Sequence, residues 1–361
     1  MSALQKIKIA NIEYNIIDSI QNLRAEDSFI FRQNKLSFYK GNGEARKYVG
    51  SYLGSNGKRL IDFFNYSDWG NTKKNGKRVY PVIQENCFFS KANLKKYLSD
   101  ARIEYQKQEQ VYHNDIADDF DKHLEKVNEL TDNLVKFSIY DVSDFIDDKK
   151  QSRAYIRSDE KIWDTWRKLI LPNISYLSIL KLAPVDKNKE NIIFYFRILL
   201  DYQFRSIVHP KLSTEETLKK EKKISKKSIS RDGAQKYRKQ VIDHMPQCPF
   251  TKISDERLLI ASHIKPYSIC ISENNQKEAS DYLNGLALSP TYDKLFDQGY
   301  ITFSDNGELI CGTQLTPYTW EKLNINPNAK NKMRIYPEDR EVYLKYHREY
   351  VFQDDINDLL T

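Results

Sequence analysis

The sequence predicts an α+β protein assembled from unlike parts, and three observations carry that expectation. Glycine is crowded into one stretch and missing from another: seven of twelve fall between Gly41 and Gly76, and none between residues 77 and 232. The glycine-free stretch instead repeats apolar residues at three- and four-residue steps. The last third returns to short β-prone runs separated by turn signals. Four regions follow: a basic, glycine-rich strand-and-loop region at 1–90, a largely helical region at 91–210, a basic linker at 211–240, and a C-terminal domain with its extension at 241–361.

Bulk properties limit what the chain can be. Its 361 residues are enough for two or three separate cores. Mean hydropathy of -0.68 with 30% charged residues describes a very polar surface. No apolar run approaches the roughly 20 residues that a membrane helix needs. The start, MSALQKIKIANIEYNIIDSI, is too polar and interrupted for a secretory signal, so a soluble, cytoplasmic protein is expected. Cysteines 87, 248, 270 and 311 form no CxxC pair, so neither a disulfide framework nor a structural zinc is expected. A net charge of +7 and a pI near 8.9 favour a polyanionic partner, because Lys and Arg displace the counterions condensed on a phosphate backbone.

In the first region, FYKGNGEARKYVGSYLGSNGKRLIDFF interleaves β-prone residues with Gly-Asn and Asn-Gly turn signals. The GNG at 41–43 lacks the third glycine and the βαβ setting of a nucleotide-binding loop. An echo is more informative: Asn56-Gly57-Lys58-Arg59 and Asn75-Gly76-Lys77-Arg78 each place two cations straight after a turn signal. Lys58, Arg59, Lys77 and Arg78 are therefore candidate DNA contacts, or else they solubilise two hairpin ends.

The middle region reads as helical. Leu94, Leu98, Ala101 and Tyr105, then Ile116, Phe120, Leu124, Val127, Leu130 and Leu134, form a core-facing stripe, with Asp115, Asp118, Asp119 and Asp121 mostly outside it. Residues 155–208 add aromatic and aliphatic segments punctuated by Pro172 and Pro184. Trp163 and Trp166, three apart, read as core rather than as a stacking platform. From Lys219 to Lys239, ten Lys or Arg stand against two acids, as in a solvated connector or a basic tether along DNA.

The chemistry-bearing pattern lies further on. An apolar run, LLIAS, ends at His263; a polar excursion follows, and Asn284-Gly285-Leu286-Ala287-Leu288 returns as a second strand. Ser289-Pro290 then starts a helix, with Ser at the N-cap and Pro at the first helical position, and Gly299 ends it. A hairpin, YITFSDNGELIC, turns at Asn306-Gly307. The order is strand, long loop, strand, short helix.

SHIKP, NGLALSP and YDKLFDQG in that order resemble the HNH nucleases of the ββα-metal class, in the variant found in many prokaryotic restriction endonucleases. The resemblance covers roughly residues 245–312 and implies a C-terminal ββα-metal (HNH) nuclease domain joined to a larger mixed α/β N-terminal DNA-recognition region. It implies His263 as general base and Asn284 as the residue that orients the catalytic loop. It also implies a metal ligand on the helix, often nine positions after the asparagine, which here is Asp293. Ser262 stands where many relatives carry an aspartate ligand, and Asp293 stands where the family name has its last histidine. Asp297, one turn after Asp293, is a candidate to complete the metal shell, or else a partner of Lys294 or Arg257. Lys265 is expected to contact phosphate, and Asp243-His244, which follows a basic stretch rather than an apolar strand, is a weaker rival for the base.

The chemistry is consistent with these residue types. A neutral imidazole can take a proton from water near pH 7, and a carboxylate can hold Mg²⁺, with Mn²⁺ as substitute. The expected function is a type II restriction endonuclease on double-stranded DNA that leaves 5′-phosphate and 3′-hydroxyl ends. It would act as a homodimer beside a companion DNA methyltransferase. The alternatives are a methylation-dependent HNH nuclease and a catalytically inactive HNH-fold DNA-binding protein.

Overall fold

The computed structural model describes residues 4–25, 46–107, 120–143, 152–170, 175–186, 191–200, 231–329, 331–333 and 339–354. They fall into two compact units, one drawn from residues 1–201 with 316–324, the other from residues 202–315 with 325–359. Among the described residues no helix is long and apolar enough to cross a membrane.

The first unit is organised by a mixed sheet. Its elements in chain order begin with β1 (Lys6–Ile9), β2 (Ile12–Arg24), β3 (Lys47–Ser51), α1 (Gly54–Phe64) and the two-residue strands β4 (Lys73–Lys74) and β5 (Lys77–Arg78). Next come β6 (Val82–Ser90), α2 (Lys91–Lys107), α3 (Phe120–Asn128), β7 (Leu134–Asp141) and β8 (Arg153–Arg157). Then follow α4 (Lys161–Leu169), β9 (Ser175–Pro184) and β10 (Ile193–Leu200). Eight strands pair in the order β1-β2-β9-β10-β6-β7-β8-β3. The β10–β6 pair is parallel and the other neighbours are antiparallel.

Two expectations about this unit are corrected. The region expected to be largely helical supplies β7 to β10 as well as helices. IFYFRILL in β10 is buried at every position but one, and SYLSILKLAP in β9 is buried at six of ten with no exposed position, so neither alternates as a half-exposed strand does. A short continuous apolar run cannot be separated from a buried helix by periodicity alone. The second correction concerns Asn56-Gly57, which is not a turn but lies in the first turns of α1. Gly57 answers a packing demand, since a Cβ there would come within 2.3 Å of the Tyr52 carbonyl oxygen. Asn75-Gly76, by contrast, is the tip of the β4–β5 hairpin, both residues having positive φ.

The expected helical stripe is borne out in part: Val127 of α3 is buried, but Leu130 lies beyond that helix and Leu134 opens β7, while Asp115, Ile116, Asp118 and Asp119 lie outside the described residues. Leu94, Leu98 and Ala101 of α2 are buried, and so are Trp163 and Trp166 of α4, whose rings meet at 5.0 Å beside Phe89, Phe137 and Phe196. The basic stretch from 211 to 230 lies outside the described residues, and its continuation is helical.

The second unit holds the strand–loop–strand–helix pattern. It runs through α5 (Arg231–His244), a 3₁₀ turn (Glu256–Leu258), β11 (Ile260–His263), α6 (Tyr267–Ser272), α7 (Gln276–Ser280) and a 3₁₀ turn (Tyr282–Asn284). After these come β12 (Gly285–Leu288), α8 (Pro290–Asp297), β13 (Ile301–Phe303) and β14 (Leu309–Cys311). The intervening α9 (Pro317–Lys322) belongs to the first unit, and α10 (Glu341–Tyr346) with a π-helical turn (His347–Val351) closes the second. β11 and β12 pair antiparallel with His263 opposite Gly285 and Ser262 opposite Leu286. Both α5 and α8 pack on this two-stranded sheet. Pro290 is at the first position of α8, Ser289 at its N-cap position makes no side-chain cap, and Gly299 ends the turn with φ +70.

His347 locks the far end of α8. Its Nε2–H donates to the Phe296 carbonyl at 3.1 Å, Thr302 Oγ1 donates to Nδ1 at 2.9 Å, and the ring stacks on Phe296. Complete burial pushes its pKa down to about 3. Because the unfolded chain takes up that proton near pH 6.5, stability is lost as the pH falls below that value. Between pH 7 and pH 5 the wild type should lose about 2 kcal/mol more than His347→Gln, measured by urea unfolding at both pH values. Equal losses would show that His347 is not buried in its neutral form.

Candidate functional site

Asn284 is the structural centre of the C-terminal pattern. Asp281 accepts from the Leu283 N–H at 3.0 Å and starts the 3₁₀ turn that delivers Asn284, fully buried, to the head of β12. Its Oδ1 accepts from the Lys265 N–H at 2.8 Å, and its Nδ2 donates to the Lys265 and Glu278 carbonyls, each at 3.1 Å. Its own carbonyl accepts from the Ile264 N–H at 3.0 Å and from the Tyr237 hydroxyl at 3.1 Å. One amide therefore fixes both ends of the loop that follows His263. Buried polar groups are tolerated because each is satisfied, and losing one partner typically costs about 1–3 kcal/mol.

His263 closes β11, and three neighbours fix its ring. Tyr237 of α5 stacks on it at 4.2 Å with the planes 12° apart, and Tyr267 meets it edge-on at 5.7 Å. The Ala279 carbonyl lies 3.1 Å from Nε2. A carbonyl can only accept, so Nε2 carries the proton and the lone pair is on Nδ1. Burial lowers the imidazole pKa, partly opposed by that backbone bond, which keeps the ring neutral at pH 7. The ring borders a pocket of about 380 Å³ whose wall includes Tyr237, Ala261, Tyr267, Gln276 and Ala279.

Asp293 sits on α8 and is bonded by the Ser262 hydroxyl. Burial raises its carboxyl pKa and the negative charge of Asp297 adds to the rise, while Ser262 and Lys294 oppose it. Asp297, one turn on, is exposed and accepts from Gln298 Nε2 at 3.1 Å. Adjacent residues in a strand point to opposite faces. Ser262 thus points to α8 and its aspartate, while His263 points to α5 and the pocket. The structure joins His263 to Asn284 through the loop, and Asp293 to Ser262, but shows no bond between the two pairs.

Among the described residues no three His, Cys, Asp or Glu side chains gather as a metal cage. The chemistry of the donor set still suits a hard divalent cation. Asp293 is a half-buried carboxylate whose charge burial and a second carboxylate both disfavour, and oxygen ligands from water and phosphate can complete such a shell.

Lys265 occupies a different place from the one expected. It is buried, with its ammonium 2.7 Å from Glu273, 2.6 Å from Glu278 and over the Tyr346 ring. Burial alone would lower its pKa, but the two carboxylates more than reverse that and hold it raised. The residue acts as a strut between the loop helices. The candidate cations of the first unit, Lys58, Arg59, Lys77 and Arg78, are all exposed, and Arg59 also donates to the Ser19 carbonyl at 3.2 Å. The rival His244 is exposed, donates to the Gln240 carbonyl at 2.8 Å and stacks on Tyr282.

Sequence reasoning missed Tyr237, Ala279 and the reason for Gly285. A Cβ at Gly285 would lie 2.5 Å from Val241 and 2.6 Å from the Tyr237 hydroxyl, so the glycine admits α5 onto the sheet. The signal available was Tyr237, Val241 and Met245 at four-residue steps, all buried. Nothing could have marked Ala279, which contributes a main-chain atom.

Residues 248–304, which contain these strands and α8, match the family model described as HNH endonuclease. No curated protein matches the chain.

Proposed function

We propose, from the HNH endonuclease domain at residues 248–304, that this chain is a metal-dependent, site-specific double-stranded DNA endonuclease of the type II restriction kind. The observation that carries the reading is the state of His263: neutral, proton fixed on Nε2 by the Ala279 carbonyl, lone pair on Nδ1. That is the form a general base needs, and such a base contributes on the order of 10²–10⁴ in rate. Asn284 holds the loop so that the imidazole does not have to reorganise. Nδ1 accepts a proton from the attacking water, whose oxygen bonds to phosphorus as the bond from phosphorus to the 3′ oxygen breaks; the departing oxygen takes a proton from solvent, leaving a 5′-phosphate and a 3′-hydroxyl.

Asp293 is the residue that would hold Mg²⁺ or Mn²⁺, with Asp297 close enough along α8 to share its charge. When bound, such an ion neutralises the scissile phosphate and the departing 3′ oxygen. A homodimer would present two such sites to the two strands, in a prokaryotic cytoplasm protected by a companion methyltransferase.

The test is to incubate the purified protein with unmethylated and methylated plasmid and Mg²⁺. Discrete fragments from unmethylated DNA, abolished by EDTA, are expected. Fragments from methylated DNA alone would move the reading to a modification-dependent nuclease. Specific binding without cleavage in Mg²⁺ or Mn²⁺ would overturn it in favour of an inactive DNA-binding protein.

A further inference from the structure

The β4–β5 hairpin is not part of the eight-stranded sheet and consists of six residues, Lys73-Lys74-Asn75-Gly76-Lys77-Arg78. Its two rungs pair Lys73 with Arg78 and Lys74 with Lys77, so like charge faces like charge at each one. Directly opposed like charges destabilise a β-ladder. All four cations are exposed, and among the described residues Lys74, Lys77 and Arg78 meet no carboxylate. The charge on Lys74, Lys77 and Arg78 is relieved by an external anion.

The hairpin is also held stiffly at its root. The Val79 N–H donates to the Thr72 carbonyl at 2.8 Å, closing the ladder below the rungs. Thr72 is buried and its hydroxyl donates to the Ser143 carbonyl at 3.4 Å. Just before it, the Gly70 N–H donates to the buried Asp141 carboxylate at 2.8 Å, which ties the segment to the end of β7. At the tip, Asn75 and Gly76 both adopt the left-handed conformation of a tight two-residue turn. The guanidinium of Arg78 lies 5.4 Å from the Tyr80 ring centre, which limits its swing. The cations are thus displayed on a preformed rod and do not have to be ordered on binding.

We infer that this hairpin enters the major groove of duplex DNA, its lysines on phosphates and Arg78 toward base edges, as a recognition finger of the first unit. The inference rests on the reading of the chain as a DNA endonuclease. The major groove of B-form DNA, about 12 Å wide, admits a two-stranded ribbon, whereas the deep, narrow major groove of A-form RNA does not. The echo at Lys58 and Arg59 has no such geometry, because those residues ride on α1.

The test uses the full chain and a duplex cut from a plasmid that the wild type cleaves. Affinity is measured in Ca²⁺ over a series of salt concentrations for wild type, for Lys74→Ala/Lys77→Ala/Arg78→Ala, and for the control Lys95→Ala/Lys126→Ala/Lys136→Ala. The control removes the same charge from exposed lysines elsewhere in the first unit. Each lost phosphate contact should flatten the slope of log K against log salt by about 0.9, so the hairpin variant is expected to lose roughly two units of slope and at least about tenfold in affinity. The control should match wild type, and an RNA duplex of the same sequence should bind both variants equally. Equal slopes and affinities for the two triple variants on DNA, in a wild type that cuts plasmid, would overturn the finger and leave the nuclease reading intact. A wild type that neither binds nor cuts DNA would overturn both.

Discussion

Replacing His263 by alanine should lower the rate of DNA cleavage by a factor on the order of 10²–10⁴, the usual contribution of a positioned general base, and leave a folded protein. Folding should survive because the loop clasp is made by Asn284 and the main chain of Ile264 and Lys265, not by the imidazole. What the ring adds to packing is its stack on Tyr237, worth about 1 kcal/mol. Single-turnover cleavage in Mg²⁺, with circular dichroism as the folding control, separates these contributions. His244→Ala is the matched negative, since that ring is exposed and already donates to Gln240. Loss of cleavage in His244→Ala with full activity in His263→Ala would place the base elsewhere. The acid limb of the wild-type rate should also lie below the ordinary histidine value near 6.5, because burial disfavours the imidazolium and the base stays neutral until the pH falls through its depressed pKa.

Lys265→Ala is expected to destabilise the C-terminal unit strongly. Removing the ammonium leaves Glu273 and Glu278, both converging on the vacated point, without a cation. Breaking a largely buried pair in this way costs roughly 3–5 kcal/mol, far more than the intact pair contributes. For a unit of this size that corresponds to a fall in Tm of roughly 6–20 °C. The triple change Lys265→Met/Glu273→Gln/Glu278→Gln should recover most of the loss, because the uncompensated charge is gone. A direct phosphate contact predicts a different result: weaker DNA binding with the Tm of Lys265→Ala unchanged. That result would return Lys265 to the DNA surface.

The two ends of the sequence differed in how much could be read from them. In the C-terminal part the order strand, loop, strand, helix was legible because its punctuation is local: an N-cap serine with proline behind it, a closing Gly299 and the Asn306-Gly307 turn. Asn284 was found by its place in a family pattern, and its buried clasp gives that place a physical cause. The sequence could not show that Ser262 and His263, one residue apart, serve different neighbours, because that depends on which helix covers which face of β11. Lys265 illustrates the same limit from the other side. A lysine beside a catalytic residue looks available to phosphate until two glutamates, eight and thirteen positions away, fold back onto it. In the N-terminal part, β9 and β10 resembled helical segments because neither strand has an exposed face, which erases the alternation that identifies a strand.

The proton on His263 is assigned by the main-chain oxygen of Ala279, and that has a consequence for how this chain can vary. A side-chain partner, such as the carboxylate that orients many histidines, can be lost in one codon change. A carbonyl cannot: every amino acid at position 279 supplies the same acceptor if the loop keeps its path. Genetic drift at that position is therefore silent for the tautomer, and an alanine scan would pass over the group that sets it. Only a change in the backbone itself, such as an ester in place of the amide that follows Ala279, would weaken that acceptor and expose its part in the chemistry.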